Sequence, residues 1–394
     1  MTLICFLASI KSGYAQKANV DTSFKPGGKL WGLAFGDFYY KAHTDTLNRG
    51  GGNQYTGIPK NKNAFQIRRI YLGYTYDISK QFTADLVLAA EDNTVQTING
   101  TTTTSGDLLT DNKLAFYIKQ ANIRWKNLWN GTDLIVGQAQ TPAFSFSSEP
   151  LWSYRAIERT IVDIRRTPST DLGVALQGKF DPKTGNFGYN AMVANGTSSR
   201  PENDNLKWFY GDVYAKLFNK KVTVDVFADY QRLNWVSNWH HSRNMIKGFV
   251  GYTTPELTVG VEGFINNLKE DNFALKADST AVDTLSVKST GFSVFVHGQI
   301  IKDKLRFFAR YDAYNPNNDI DNTQYISYKG NTPSYNDPNT KEQFITAGLD
   351  FTPTKNVHFM PNIWYNKYTN QGPKPLYNSY DLVYRITFYY VYNR

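Results

Sequence analysis

Apolar and polar residues alternate in about sixteen successive runs along this chain of 394 residues, and each run is roughly 9 to 14 residues long. In the segment YLGYTYDISKQFTADLVL (71–88), two such runs flank a polar turn. Leu72 and Tyr74 share one face of the first run, and Leu86 and Leu88 share one face of the second. This period predicts β-strands with one apolar and one polar face. The apolar face must be covered by a protein core or by lipid.

Short and long connections alternate between these runs. The runs begin near Leu30, Phe65, Gln81, Lys113, Thr132, Asp171, Gly185, Lys207, Lys221, Asn244, Glu256, Lys288, Lys304, Glu342, Asn356 and Leu382. The short connections favour tight turns through Pro, Gly, Asn and Asp, and lie at 77–80, 127–131, 181–185, 218–221, 253–256, 301–304 and 352–356. The long ones are polar, and lie at 43–63, 94–112, 141–169, 197–206, 234–243, 268–287, 317–340 and 369–380. Outer-membrane barrels have this asymmetry of short periplasmic turns and long extracellular loops.

The distribution of charge between the two strand faces favours lipid over a soluble core. In the run from Lys221, Val222, Val224 and Val226 oppose Thr223 and Asp225. An Arg or Lys on a lipid face costs about 2–4 kcal/mol at the midplane, whereas it costs little in a water-filled lumen. A soluble sandwich, propeller or β-helix would also alternate, but no repeat of fixed period is evident. We therefore predict an all-β fold: a transmembrane antiparallel β-barrel of about 16 strands.

The composition agrees with this fold and excludes several others. Aromatic residues make up 15% of the chain, while the mean hydropathy of −0.48 reflects strands whose apolar half is hidden by alternation. The net charge of +9 is mild, and no block of Lys and Arg suggests nucleic acid as a partner. Cys5 is the single cysteine, so neither an intrachain disulfide nor a thiolate metal site is expected, and no cofactor is implied.

The first residues are typical of a secretory signal. An apolar run from Leu3 to Ile10 precedes small residues that end at Ala15, which predicts a signal peptide at 1–15 and a mature chain from Gln16. No lysine precedes the apolar run, so we expect the signal to be truncated here. A lead segment (16–29) and the barrel (30–394) would follow.

The last strand carries aromatic residues on one face. In YRITFYYVYNR, Phe388, Tyr390 and Tyr392 alternate, which resembles the signal read by the bacterial barrel-assembly machinery. A closing strand with girdle tyrosines makes the same structural prediction. Outer-membrane lipid and the assembly machinery are therefore expected partners.

The connection 141–169 is the strongest candidate for a constriction loop folded into the lumen. It is the longest stretch without a period of two, and it follows the fifth run. Arg155 and Arg159 are four residues apart, so a short helix would place them on one face. The charged candidates for the constriction and for contacts with anions are Arg155, Arg159, Arg165, Arg166, Glu158 and Asp163, with Glu149 nearby.

Charged residues on the polar faces of the strands are expected to line the lumen. The cationic ones are Arg69, Lys119, Arg306, Arg310 and Arg385; the acidic ones are Asp85, Glu91, Asp225, Asp229, Glu262 and Asp312. Arg pairs phosphate or carboxylate bidentately, so a basic constriction would favour anions. Alternatively, each Arg pairs with a lumen acid and only stiffens the loop. Lys119 and Gln120 break the alternation, so the orientation of that run is open.

Several segments together resemble the phosphate-selective porin O/P family over residues 65–196, in a style similar to Bacteroidetes outer-membrane proteins. They are FQIRRIYLGYTYDISKQFTADLVL, YIKQANIRW, LIVGQAQTPAFSFSSE, YRAIERTIVDIRR, DLGVALQGKF and YNAMVANG. Matching positions include Arg69, Gly137, Gln138, Thr141, Pro142, Glu158, Arg159, Asp171, Gly173, Asn195 and Gly196. The resemblance implies a sixteen-stranded, usually homotrimeric outer-membrane porin. The family's phosphate-binding lysine cluster has no match in this sequence.

The expected function is a water-filled channel for passive diffusion of small hydrophilic solutes, leaning towards anions such as phosphate. A carbohydrate or oligopeptide channel is an alternative, because Trp152, Tyr154, Trp235 and Trp239 could stack sugars or pack loop on loop. A plugged barrel that serves as an anchor or a secretion component is another. An enzyme is not expected: neither His297 nor the pair His240–His241 has a Ser–His spacing that indicates a hydrolase.

Overall fold

The structure is a computed structural model that describes residues 24–47, 49, 53–91, 94–98, 101–105, 114–165, 167–236, 239–276, 282–318, 324–330, 340–371 and 378–393. The predicted signal peptide (1–15) and the first part of the lead segment (16–23) lie outside these ranges. The first strand begins at Gly27, so the end of the lead segment already belongs to the barrel.

Nineteen strands and two short helices make up the regular structure of the described residues. The strands are β1 (Gly27–His43), β2 (Asn63–Asp77), β3 (Phe82–Glu91), β4 (Thr94–Ile98), β5 (Thr101–Ser105), β6 (Tyr117–Trp129), β7 (Thr132–Gln140), β8 (Thr170–Lys179), β9 (Phe187–Ala194), β10 (Trp208–Leu217), β11 (Val222–Val236), β12 (Trp239–Thr253), β13 (Leu257–Lys276), β14 (Val282–Ile301), β15 (Leu305–Asn315), β16 (Tyr325–Gly330), β17 (Thr340–Thr354), β18 (Val357–Asn370) and β19 (Ser379–Tyr392). The helices are α1 (Ser148–Trp152) and α2 (Ile161–Arg165). Within the described ranges, neither helix nor any other is long and apolar enough to cross a membrane.

Sixteen of the strands close into one antiparallel barrel, as predicted. Each strand pairs with its neighbours along the chain, and β1 closes the sheet by pairing with both β2 and β19. The hairpin β4–β5 forms a separate small sheet, and β16 pairs with the far end of β13. All three additional strands lie in connections that the sequence predicted to be long.

The predicted strand starts are confirmed within three residues for all but β6, β12 and β14. The prediction of long loops at 234–243 and 268–287 is wrong. There β11 continues to Val236 and β12 begins at Trp239, while β13 continues to Lys276 and β14 begins at Val282. The backbone hydrogen bonds of β11–β12 and β13–β14 continue beyond the length that is needed to cross a bilayer. The apolar alternation ends earlier, so the sequence pattern did not predict these extensions.

A bulge in β6 lets the alternation change parity without turning an apolar face inward. Ile118 pairs with Leu88 and Gln120 with Val87, so Lys119 is an extra residue in β6. Ile118 is 54% exposed and Lys119 7%. The break in alternation at Lys119 and Gln120 is therefore a bulge, which re-aims the side chains on one side of it.

The outer surface of the barrel is apolar, as the strand faces predicted. Large exposed side chains on successive strands include Leu72, Tyr74, Leu86, Ile123, Val136, Val174, Val193, Val213, Val226, Ile246, Val261, Ile345, Ile363 and Ile386. Aromatic residues lie near the short turns, among them Phe82 and Trp125 in ring contact at 5.4 Å. A closed barrel with such a belt is an integral membrane barrel of the outer-membrane type, because soluble proteins rarely expose a continuous apolar surface of that size to water.

Two connections fold into the barrel and pack against its wall. Buried apolar clusters join the wall to residues of 141–169, such as Phe144, Trp152 and Ile157. The first long connection also folds in: Tyr55 and Ile58 pack against Trp364 and its neighbours. The lumen is thus partly filled, and the two lumenal cavities described below are lined by β1–β3, β6–β11 and β19.

Candidate functional site

The connection 141–169 lies inside the barrel, as predicted for a constriction loop. Trp152 is buried between Phe295 and Phe308, with ring centroids 5.3 and 6.4 Å away. The predicted helix carrying Arg155 and Arg159 on one face is wrong. Both residues lie in the irregular link between α1 and α2, because Ser153 adopts a left-handed conformation (φ 54°) that ends α1.

Glu158 is the residue that fixes this loop to the wall and to the first inward connection. Its carboxylate accepts hydrogen bonds from Trp364 Nε1 at 2.9 Å and from Gln54 Nε2 at 2.8 Å. The backbone N–H of Arg159 donates to the same carboxylate at 2.9 Å, and Trp152 Nε1 donates to the Glu158 carbonyl oxygen at 2.8 Å. A buried carboxylate with this number of donors is held in place, so Glu158 positions the loop.

Arg155 is held by two acids of the same loop. Its Nη1 lies 2.6 Å from the Asp163 carboxylate and also contacts Glu149. Burial alone would lower the pKa of Arg155, but the carboxylates of Asp163 and Glu149 hold that pKa well above its ordinary value. The guanidinium therefore stays charged while its charge is largely balanced within the loop.

The other arginines of the loop differ in their surroundings. Arg159 lies near Glu158 and Asp163, at 3.9 and 4.0 Å. Arg165 is buried, pairs with Glu342 of β17 at 2.9 Å and stacks on Tyr314, with its Cζ 4.1 Å from the ring centroid. These contacts match the alternative in which the arginines stiffen the loop. Arg166 lies outside the described residues.

The predicted wall residues lie on the inner faces of their strands. Arg69, Lys119, Arg310, Arg385, Asp225, Asp229, Glu262 and Asp312 are buried, while Arg306, Asp85 and Glu91 are half-buried. Two of them reach the loop backbone: Arg310 Nη1 donates to the Arg159 carbonyl at 2.6 Å, and Arg385 Nη2 to the Ile157 carbonyl at 2.7 Å. These two wall arginines thus anchor the loop.

Other inner-face charges pair across the wall. Lys119 Nζ lies 2.5 Å from Glu91, with Arg69 3.8 Å from the same carboxylate. Lys247 Nζ lies 2.7 Å from Asp225 and donates to Ser147 Oγ at 3.2 Å. In these two places positive and negative side chains are paired. A preference for one sign of solute therefore requires a part of the lumen where charges of one sign outnumber the other.

Sequence reasoning missed the anchors Asp37, Tyr55, Arg68 and Lys247. Arg68 is the extra residue of a bulge in β2, since Phe35 pairs with Arg69 and Gly36 with Ile67. Both Arg68 and Arg69 consequently point inward, and Arg68 Nε lies 2.5 Å from Asp37. The consecutive arginines were the available signal, because two adjacent charges on a membrane strand require a bulge to keep both out of lipid. Tyr55 had no comparable signal, since it lies in a polar connection.

A central cavity of about 290 Å³ lies between the loop and the wall of β1–β3 and β6. Its apolar side comprises Trp31, Leu33, Phe35, Tyr71, Val87, Phe144 and Tyr389. Its polar side includes Lys119, Gln120, Glu149, Arg155 and Ser169. Arg155 and Lys119 face this space together with Glu149, so the cavity presents both signs of charge.

A second cavity, of about 520 Å³, lies at the short-turn end and is strongly basic. Its lining residues include Arg124, Lys126, Lys179 and Lys216, with Asp133 as the lone acid among the described ones. The loop segment 144–146 borders both cavities, through Phe144 and Ser145 on one and Phe146 on the other. The inner wall therefore gains positive charge towards the short-turn mouth.

The aromatic and histidine candidates are engaged in packing and hydrogen bonds. Trp152 and Tyr154 are buried against the wall, and Trp239 stacks on His241 with centroids 5.3 Å apart. His297 Nε2 lies 2.8 Å from the Leu151 carbonyl oxygen. His240 and His241 lie in β12 rather than in a loop. The side chain of Trp235 is not among those that the structure describes. Among the residues with defined positions, no three His, Cys, Asp or Glu could hold a metal ion.

Comparisons with known proteins support the fold. No protein-family model matches the sequence, and no curated protein sequence is similar to it. The structure is similar to the outer membrane channel DcaP of Acinetobacter baumannii (TM-score 0.60, 13% identity, 93% of this chain and 97% of that one). It is also similar to an anion-selective porin from Comamonas acidovorans (TM-score 0.56, 12% identity, 93% and 100%) and to OmpT of Vibrio cholerae, in its trimer form (TM-score 0.52, 11% identity, 94% and 100%). At this identity the likeness shows the fold alone: the chain folds as an outer-membrane porin.

Proposed function

We propose that this chain is an outer-membrane porin through which small hydrophilic solutes diffuse passively, with a preference for anions such as phosphate. The observation that carries the proposal is the basic cavity at the short-turn mouth. Arg124 pairs with Asp133 at 2.9 Å and Lys126 with Asp77 at 2.8 Å, so the net positive charge rests on Lys179 and Lys216. Charge of one sign within a low-dielectric wall concentrates ions of the opposite sign and repels the others.

The central cavity supplies the proposed constriction. Arg155 and Lys119 would contact a passing anion there, and Glu149 limits how long the anion is held. Passage requires binding that is strong enough for entry and weak enough for release. Arg155 and Lys119 together carry one more charge than Glu149 balances, which suits a weak preference for anions rather than tight binding.

The resemblance of residues 65–196 to the phosphate-selective porin O/P family supports a porin and a homotrimer. The family's phosphate-binding lysine cluster has no match in this sequence, so the preference for phosphate is proposed from the charge of the lumen and not from the resemblance. We also propose that the chain is a member of that family. The Comamonas porin is anion-selective, and that property of the Comamonas protein agrees with the direction proposed here.

A plugged barrel that serves as an anchor is the second candidate, because two connections fold into the lumen and pack against its wall. Single-channel recording of the detergent-purified, folded protein in a planar bilayer separates the two. We expect discrete open steps whose chloride current falls when phosphate is added. Block by maltodextrin instead of phosphate would favour the carbohydrate alternative, and folded barrels that give no steps would identify the plugged form.

A further inference from the structure

Two neighbouring short turns enclose a groove of about 530 Å³ on the rim of the barrel. The groove lies between the turn that joins β8 to β9 and the turn that joins β10 to β11. Its lining residues are Lys183, Thr184, Asn186, Phe187, Lys216, Leu217, Phe218, Asn219 and Lys220. We propose that it binds the phosphate-bearing headgroup of an anionic phospholipid, in the leaflet that faces the short turns.

The charge of the groove suits such a headgroup. Lys183 and Lys220 lie in the two turns and contribute two positive charges, and the described lining includes no carboxylate. Lys216 also borders the groove, but it lies on the inner face of β10 and lines the lumenal cavity as well. The nearby Asp181 is turned into its own loop, where it accepts hydrogen bonds from the backbone N–H of Thr184 at 3.2 Å and from the Thr184 hydroxyl. Basic pockets at the membrane surface attract anionic lipid headgroups in this way.

The apolar residues of the groove favour a lipid over a free anion as its ligand. Phe218 is 76% exposed and Phe187 45%. Phe180, also exposed, lies beside them with its ring 5.0 Å from that of Tyr189. Aromatic rings at the end of a lipid-facing belt sit at the level of the headgroups, where a glycerol backbone and the first acyl carbons would cover them. A water-borne phosphate would leave these rings exposed.

The backbone of the second turn is unusual in a way that fits a functional surface. Phe218, Asn219 and Lys220 all have positive φ, at 51°, 57° and 63°. A bulky residue such as Phe rarely adopts this conformation, so glycine or asparagine would be expected at its position in a turn selected for stability alone. Strain of this kind tends to collect at binding sites.

Native mass spectrometry of the full protein in detergent tests the proposal, with phosphatidylglycerol and phosphatidylcholine titrated separately. We expect one phosphatidylglycerol per chain to be retained in preference to phosphatidylcholine. The double variant Lys183→Gln/Lys220→Gln should weaken that retention by about 30-fold, since each lysine near an anionic surface contributes roughly fivefold. The matched control, Lys302→Gln/Lys355→Gln, removes two exposed lysines from other short turns and should retain the lipid.

Two further measurements decide the ligand class. Phe218→Ser keeps the charge and should also weaken lipid retention, whereas excess inorganic phosphate should displace little lipid. Efficient displacement by inorganic phosphate, with no effect of Phe218→Ser, would overturn the lipid assignment. Equal losses in the control variant would overturn the groove itself and leave only a basic rim. Because all these residues lie in exposed turns, each variant should keep the far-UV circular dichroism spectrum of the parent, which checks the fold without relying on the proposed channel function.

Discussion

Arg155 and Asp163 form an ion pair inside the lumen, with 2.6 Å between the guanidinium Nη1 and the carboxylate Oδ2. Asp163 stands in the first turn of α2 and Arg155 in the link that precedes it, so the pair closes the loop on itself. Glu149 completes the set on the other side. The loop thus carries its own counter-charges.

Replacing Arg155 by Gln should leave Glu149 and Asp163 without their shared cation. We expect a loss of about 2 kcal/mol in the free energy of unfolding, because the charge-assisted contacts of a half-buried arginine are removed. The excess negative charge should also shift the reversal potential towards cations. Arg155→Lys keeps the charge, so it should lose stability while the reversal potential stays close to that of the parent. Equal reversal potentials for all three proteins would show that Arg155 does not act on passing ions.

Glu158 should matter more for the position of the loop than for the charge of the lumen. Glu158→Ala removes the acceptor of Trp364, Gln54 and the Arg159 amide, and we expect a cost of about 3 kcal/mol from these three hydrogen bonds. Glu158→Gln keeps one acceptor oxygen and should cost less. Denaturant unfolding measures the difference, and single-channel steps of the Ala variant should become larger and noisier. A Gln variant as unstable as the Ala variant would argue for the charge rather than the hydrogen bonds.

The barrel could be predicted from the sequence because each strand repeats one simple rule. Valines at 222, 224 and 226 face outward and Asp225 inward, with no dependence on the rest of the chain. The contents of the lumen could not be predicted in that way. Tyr55 donates to Asp37 at 2.6 Å, but the two are joined by a polar connection whose path depends on the finished wall. The pairing of Arg165 with Glu342, 177 residues apart, has no local signal either.

The bulge at Lys119 gives a prediction about strand faces. Because the mature chain is expected to contain no cysteine, single cysteines can be introduced and labelled with a fluorophore. Labels at Ile118→Cys and Ala121→Cys should both be quenched by spin-labelled lipid, although their positions differ by an odd number. A label at Gln120→Cys should be quenched by aqueous iodide instead. Quenching by lipid at Gln120 and not at Ala121 would mean that β6 continues without a bulge.

The most direct test of the channel account is the reversal potential of the purified protein across a KCl gradient in a planar bilayer. For the parent protein we predict a reversal potential whose sign shows that chloride permeates more readily than potassium. The variant Lys179→Gln/Lys216→Gln removes the net positive charge of the short-turn mouth and should move the potential towards zero, because the focused positive field is lost. The control Lys302→Gln/Lys355→Gln, with the same change in net charge away from the cavity, should match the parent. A cation-selective parent, or a potential that does not respond to the loss of Lys179 and Lys216, would contradict the account.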